Sequence, residues 1–174
     1  FMKYSIAVIP GDGIGNEVIP ASLRVLDKLS AQCGFNFQFV HYNYSCELYK
    51  QTGKMMSDDG IGHLSDSDAI FLGAVGYPGV PDHVSLWGLL IPIRRSFQQY
   101  INVRPVKLLE GVQSPLRNPG IIDFVIVREN NEGEYSSVGG KVHENTPYEA
   151  VIQETVFTKR GVDRVMNYAY DLAT

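Results

Sequence analysis

The chain has 174 residues, 44% of them hydrophobic and 20% charged, with a formal net charge of −4. Its longest apolar runs, residues 86–93 and 121–127, fall far short of the roughly 18 residues of a membrane span, and no basic segment followed by an apolar stretch marks a signal peptide. The acidic balance opposes non-specific nucleic-acid binding, and Cys33 and Cys46 make neither a disulfide framework nor a metal-ligand spacing, which suits a reducing cytoplasm.

Phe1 ahead of Met2 reads as a cloning remnant. Residues 4–9 are a short apolar strand, ended by Pro10 and the glycines Gly11, Gly13 and Gly15. Val18, Leu23, Val25, Leu26 and Leu29 then recur at helical spacing up to Gly34, a helix stop. Phe35, Phe37 and Phe39 alternate with polar residues in a second strand over 35–44, and a polar stretch follows around 53–62. Residues 68–73 predict a buried strand that runs into the loop 74–84. Strands alternating with helices indicate an α/β layered architecture with a largely parallel sheet.

Residues 85–99 predict a helix blemished by Pro92. Asn102-Val-Arg-Pro-Val106 is extended, because the residue before a proline avoids the helical region. Residues 121–127 predict a second central, buried strand closing at Arg128. Over 135–157, Gly139-Gly140 reads as a turn between two extended runs, a hairpin-like arm rather than another βαβ unit. Thr158 predicts the N-cap of a last helix, in which Val162, Val165, Met166, Ala169, Leu172 and Ala173 form one stripe. That stripe calls for a sheet to pack on, and the chain reads as unfinished.

Ile9-Pro-Gly-Asp-Gly-Ile-Gly15 lies between strand and helix, where backbone amides can meet an anion. Its spacing is not that of the dinucleotide fingerprint, no acid closes the second strand, and the lysine and hydroxyl of a P-loop are missing. A tight turn explains it as well as a phosphate cradle. Three arginines stand at element ends: Arg94, Arg104 and Arg128. Guanidinium forks match carboxylates, so together they suit a di- or tricarboxylate; the competing explanation pairs each with a local acid such as Glu129 or Glu110. Tyr135 follows closely, and a tyrosine beside arginines can donate a proton, although ten tyrosines in the chain weaken that inference. The four histidines (His41, His63, His83 and His143) are scattered and read as surface or loop residues.

Taken in order, Ile-Pro-Gly-Asp-Gly-Ile-Gly at 9–15, Gly-Ala-Val-Gly at 73–76, Arg94, Asn-Val-Arg-Pro, and Val-Arg-Glu-Asn-x-Glu-Gly-Glu-Tyr at 127–135 resemble the β-decarboxylating dehydrogenases. That family includes the isocitrate, 3-isopropylmalate and tartrate/D-malate enzymes, and Pro81-Asp-His-Val-Ser-Leu-Trp-Gly88 is most similar to the tartrate/D-malate branch. The resemblance implies an open layered α/β sheet of the isopropylmalate dehydrogenase type, not a Rossmann fold, truncated and carrying a β arm for dimerisation. It implies the first part of a large α/β domain over 1–100 and the start of a small domain over 101–174, with the arm at 135–157.

It further implies that Arg94, Arg104, Arg128 and Leu90 bind a 2-hydroxy dicarboxylate, and that Tyr135 returns a proton after CO₂ leaves. Gly73, Ala74, Val75, Gly76 and Ser85 would meet the nicotinamide end of NAD. The Mg²⁺ or Mn²⁺ of such enzymes would have no ligands in this chain, because the family holds its metal aspartates, and its general-base lysine, in a second half. The expectation is therefore the N-terminal portion of an NAD-dependent oxidative decarboxylase of tartrate or D-malate type, inactive alone. The alternatives are a 3-isopropylmalate dehydrogenase fragment, or a non-catalytic dicarboxylate-binding or dimerisation module. A homodimer through 135–157 and a cytoplasmic location complete the reading, with no membrane or nucleic-acid partner.

Overall fold

A computed structural model describes residues Met2–Thr174; Phe1, with its reading as a cloning remnant, lies outside the described residues. The chain divides into two compact units, Phe1–Ile93 and Arg94–Thr174.

In the first unit, β1 (Met2–Gly11) lies between β2 (Phe35–His41) and β3 (Ala69–Ala74), parallel to both. With a neighbour on each side, β1 holds the core: Ala7, Val8 and Ile9 are fully buried. Helix α1 (Gly15–Cys33) lays Ile19 on Ile6 and Val8, with Leu23, Phe37, Phe39 and Phe71 packed around them. As expected, Gly34 ends α1, in the left-handed conformation, its N–H donating to the Ser30 carbonyl. β3 is half-buried rather than buried, since among the described residues β1 is its only strand partner. The stretch before it contains two short helices that periodicity did not reveal, α2 (Cys46–Thr52) and α3 (Gly60–Ser65).

The helix expected over 85–99 starts earlier, as α4 (Asp82–Ser85), and reaches α5 (Ile91–Ser96) through a π-helical turn, Leu86–Leu90. Pro92 has no N–H to give, and its ring crowds the carbonyl four residues back. The Ile91 N–H reaches back to the Leu86 carbonyl, and the widened turn absorbs the proline.

The second unit is built from pairs. β4 (Ile101–Lys107) and β5 (Asp123–Glu129) form one antiparallel ribbon, β6 (Gly133–Val142) and β7 (Ala150–Val156) another, and α6 (Lys159–Ala173) lies against β5. Two expectations are overturned here. β5 is neither central nor buried: it has one strand partner, Phe124 is 50% exposed, and Ile121 just before it is 99% exposed. Nor is Gly139-Gly140 the turn of the arm. Both glycines lie within β6, opposite Gln153 and Ile152, and the chain reverses over 143–149. Gly139 is required by a close approach, since a Cβ there would stand 2.2 Å from the Ile152 carbonyl oxygen.

Among the described residues every buried hydrophobic side chain belongs to the first unit. The apolar faces of β5 and of the arm, and the α6 stripe at Val162, Met166 and Leu172, are open in this chain. The second unit is held chiefly by ladders and polar side chains. Among the described residues no helix is long and apolar enough to cross a membrane.

Candidate functional site

The glycine loop is explained by backbone packing. A Cβ on Gly11 would stand 2.0 Å from the Ala74 carbonyl oxygen, and one on Gly73 2.2 Å from that of Pro10. Asp12, overlooked in the sequence, ties the loop down: its buried carboxylate accepts the N–H groups of Cys46 (3.0 Å), Glu47 (3.2 Å) and Gly76 (3.1 Å). The loop is thus bound to a side chain of its own, which explains its glycines without a phosphate. Of the residues expected to meet cofactor, Gly73 and Ala74 end β3, Val75 and Gly76 follow it, and buried Ser85 donates to the Asp82 carbonyl. Leu90, half-buried, closes the π-helical turn.

The arginines and Tyr135 belong to the second unit. Arg94 stands over the Tyr135 ring, its guanidinium carbon 5.5 Å from the ring centre, with Nη1 buried and without a hydrogen-bond partner. Arg95 donates to the Tyr135 carbonyl oxygen and, at 3.4 Å, to Ser137 Oγ. Two successive arginines thus hold the ring and the backbone of one residue. The Tyr135 hydroxyl has no hydrogen-bond partner among the described residues, and Tyr135 lines a cavity of about 360 Å³ with Arg128, Glu129, Glu132, Glu134 and Phe157; Arg94 and Arg104 are not in its lining.

Register places Arg104 beside Arg128. Asn102 lies directly opposite Arg128, and Arg104 is two residues further along β4, so all three share one face of the ribbon. Arg104 Nε donates to Asn102 Oδ1 at 3.0 Å, and Arg128 Nη2 to Asn130 Oδ1 at 3.2 Å. Arg128 Nε is buried and unpartnered. An orphaned buried donor costs about 1–3 kcal/mol, so such groups await a partner.

The competing explanation, a local acid for each arginine, is not what the structure records: no ion pair joins Arg94, Arg104 or Arg128 to an acid among the described residues, and two nearby acids are engaged elsewhere. Glu129 pairs with Arg164 at 3.5 Å and accepts the N–H groups of Asn131 (2.9 Å) and Glu132 (2.6 Å). Glu132 accepts the Thr158 N–H at 2.8 Å and hydroxyl at 2.7 Å, and these bonds hold its carboxyl below the usual range. Thr158 in turn caps α6 as expected, accepting from the Gly161 N–H. Arg164 was missed in the sequence, and no local pattern could have exposed a contact spanning 35 residues.

No three or more His, Cys, Asp or Glu stand together to hold a metal among the described residues, and Arg94, Arg104 and Arg128 are cations, so these residues do not fit Mg²⁺ or Mn²⁺.

The family model for isocitrate/isopropylmalate dehydrogenase matches residues 5–174. The chain belongs to that family. It is 57% identical over 172 residues to the D-malate dehydrogenase [decarboxylating] of Escherichia coli K12, covering 97% of this chain and 48% of that one. It is 55% identical over 175 residues to a tartrate dehydrogenase/decarboxylase of Pseudomonas putida, covering 98% and 48%. Among solved structures, an isocitrate dehydrogenase from Methylococcus capsulatus superposes with a TM-score of 0.78 at 26% identity, covering 98% of this chain and 47% of that one. This family chain spans about half the length of the curated relatives it matches, and its fold is the open α/β architecture expected above.

Proposed function

We propose that this chain is the N-terminal, substrate-anion-binding portion of an NAD-dependent oxidative decarboxylase acting on a 2-hydroxy diacid of the D-malate or tartrate type. The observation that carries the reading is that Arg94 over the Tyr135 ring, Arg128 in the same cavity as Tyr135, and Arg104 on the ribbon face of Arg128 have no acid partner among the described residues, while Glu129 and Glu132 are engaged elsewhere. Relatives named for D-malate and tartrate support a diacid as the occupant.

In this reading the guanidinium forks hold the two carboxylates and fix the C2–C3 bond. A bound NAD would supply the hydride acceptor for C2. Residues 73–76, where the absent Cβ of Gly76 faces open space, and Ser85 are assigned to NAD binding, and Leu90 to substrate binding. Loss of the carboxylate at C3 leaves an enolate, and the Tyr135 hydroxyl returns a proton to that carbon. The metal and the general base come from outside this chain, so alone it binds but does not turn over. The first unit corresponds to part of the family's large domain, and the second to the start of its small domain. The arm at 135–157 pairs two copies, and the location is cytoplasmic, where an exposed thiol such as Cys33 stays reduced.

Calorimetric titration of the chain with D-malate, tartrate and the monocarboxylate D-lactate tests the proposal. Saturable binding of the diacids, with D-lactate weaker by about ten-fold or more, is expected for a multi-arginine clamp. Equal binding of all three, or none, would overturn it.

A further inference from the structure

We propose that Asn102 and Asn130 are positioning residues that aim the guanidinium groups of Arg104 and Arg128 while leaving both positive charges available to the diacid. The inference rests on the dicarboxylate reading and deepens it. A guanidinium on a long, flexible stem must be held in place to bind two-pronged, and a carboxylate would be the stronger holder. It would also neutralise the charge and occupy the fork. A carboxamide oxygen accepts the same hydrogen bond and carries no net charge.

Both arginines receive this neutral partner. Asn102 Oδ1 accepts from Arg104 Nε at 3.0 Å, and Asn130 Oδ1 from Arg128 Nη2 at 3.2 Å. Neither carboxamide is loosely placed. Asn102 sits within β4, paired directly with Arg128 across the ribbon. Asn130, 5% exposed, donates through Nδ2 to the Gln99 carbonyl (2.9 Å) and through its N–H to that of Tyr100 (3.0 Å). The carboxylates that flank Asn130 at 129 and 132 are held by Arg164, by backbone N–H groups and by Thr158. Acids are therefore tied to α6 and to the turn, and amides to the arginines. Arg128 keeps a buried, unpartnered Nε.

Calorimetric titration of the 174-residue chain with D-malate, for Asn102→Asp, Asn102→Ala, Asn130→Asp and Asn130→Ala, decides the matter. Each Asp variant keeps the shape and the acceptor but adds a charge, and its affinity should fall about ten-fold or more, further than that of its Ala counterpart. A purely structural role demands the reverse order, because Ala removes more. Asn130→Asp also turns a donor to Gln99 into a repulsive contact, so circular dichroism checks its fold; if it does not fold, the Asn102 pair carries the test. Asp variants binding as well as or better than their Ala counterparts, with the unsubstituted chain binding normally, would overturn the assignment alone. No binding by the unsubstituted chain would overturn the dicarboxylate reading and this inference with it.

Discussion

Arg94 holds its guanidinium 5.5 Å from the centre of the Tyr135 ring. Arg95, next in sequence, donates to the carbonyl oxygen of the same tyrosine. Ring and backbone are therefore placed by α5 independently of the hydroxyl. Tyr135→Phe should leave D-malate affinity within about two-fold, since the ring face that attracts the cation is retained. In a full-length enzyme carrying this segment, the same change should slow proton return by about 10²-fold or more and release an enol intermediate. Stopped-flow and product analysis read both effects, and unchanged turnover would remove Tyr135 from the catalytic residues.

The carboxylate of Glu132, held by the Thr158 N–H and hydroxyl, ties the loop before β6 to the N-terminus of α6. These bonds lower its pKa in the folded state. A depressed carboxylate contributes stability that is fully present above its unfolded value of about 4.3, and loses it as pH falls through the folded value. Glu132→Gln should cost about 1 kcal/mol near neutral pH, the usual worth of a cap, and progressively less in acid. Urea unfolding of both proteins at pH 7 and pH 3 checks it. A pH-independent difference would place the effect in packing rather than charge.

The two thiols should differ sharply in reactivity. Cys33 is exposed; Cys46 is buried beside the Asp12 carboxylate, and burial first, then Asp12, pushes its pKa up to about 11. Thiolate is the reactive form, so an aromatic disulfide reagent at pH 8 should label one site in the native chain. Labelling of the second should follow unfolding in denaturant. Rapid modification of both would show that the contact between Asp12 and α2 opens readily.

The arm formed by β6 and β7 is a two-stranded ribbon, and all of β7 is exposed. A lone ribbon is marginal in water, and Val151 and Ile152 leave apolar surface on both of its faces. Sedimentation at micromolar concentration should show a dimer, and Ile152→Asp should dissociate it by burying an unpaired charge. A monomeric unsubstituted chain, or a dimer indifferent to that change, would remove the arm as the contact.

Several features of this chain follow from neighbours in sequence. The stop of α1 at Gly34 and the Thr158 cap of α6 depend on bonds that close within four residues, so residue type and spacing suffice to locate them. Strands β1 to β3 announce themselves by apolar runs and alternation. The ordered motifs around Arg94, Arg104 and Arg128 were legible as short strings, although Arg104 lies in the middle of β4 and not at an element end as expected. The expectation of burial for β5 failed because hydrophobicity shows what a strand prefers to cover; whether a partner layer is present depends on the rest of the fold.

Which acid meets which arginine was decided only in three dimensions. Glu129 lies beside Arg128 in sequence yet pairs with Arg164, 35 residues on, because α6 packs against β5 and brings that guanidinium to the turn. Asn130 reaches the Gln99 carbonyl, 31 residues back, and Asn102 faces Arg128 by antiparallel register. Gly139, a turn by composition, is a close-approach residue inside β6. Composition records what each side chain can bond to. Register and helix packing select the partner among many equivalent ones, since those choices minimise unpaired buried polar groups across the whole unit rather than along any one segment.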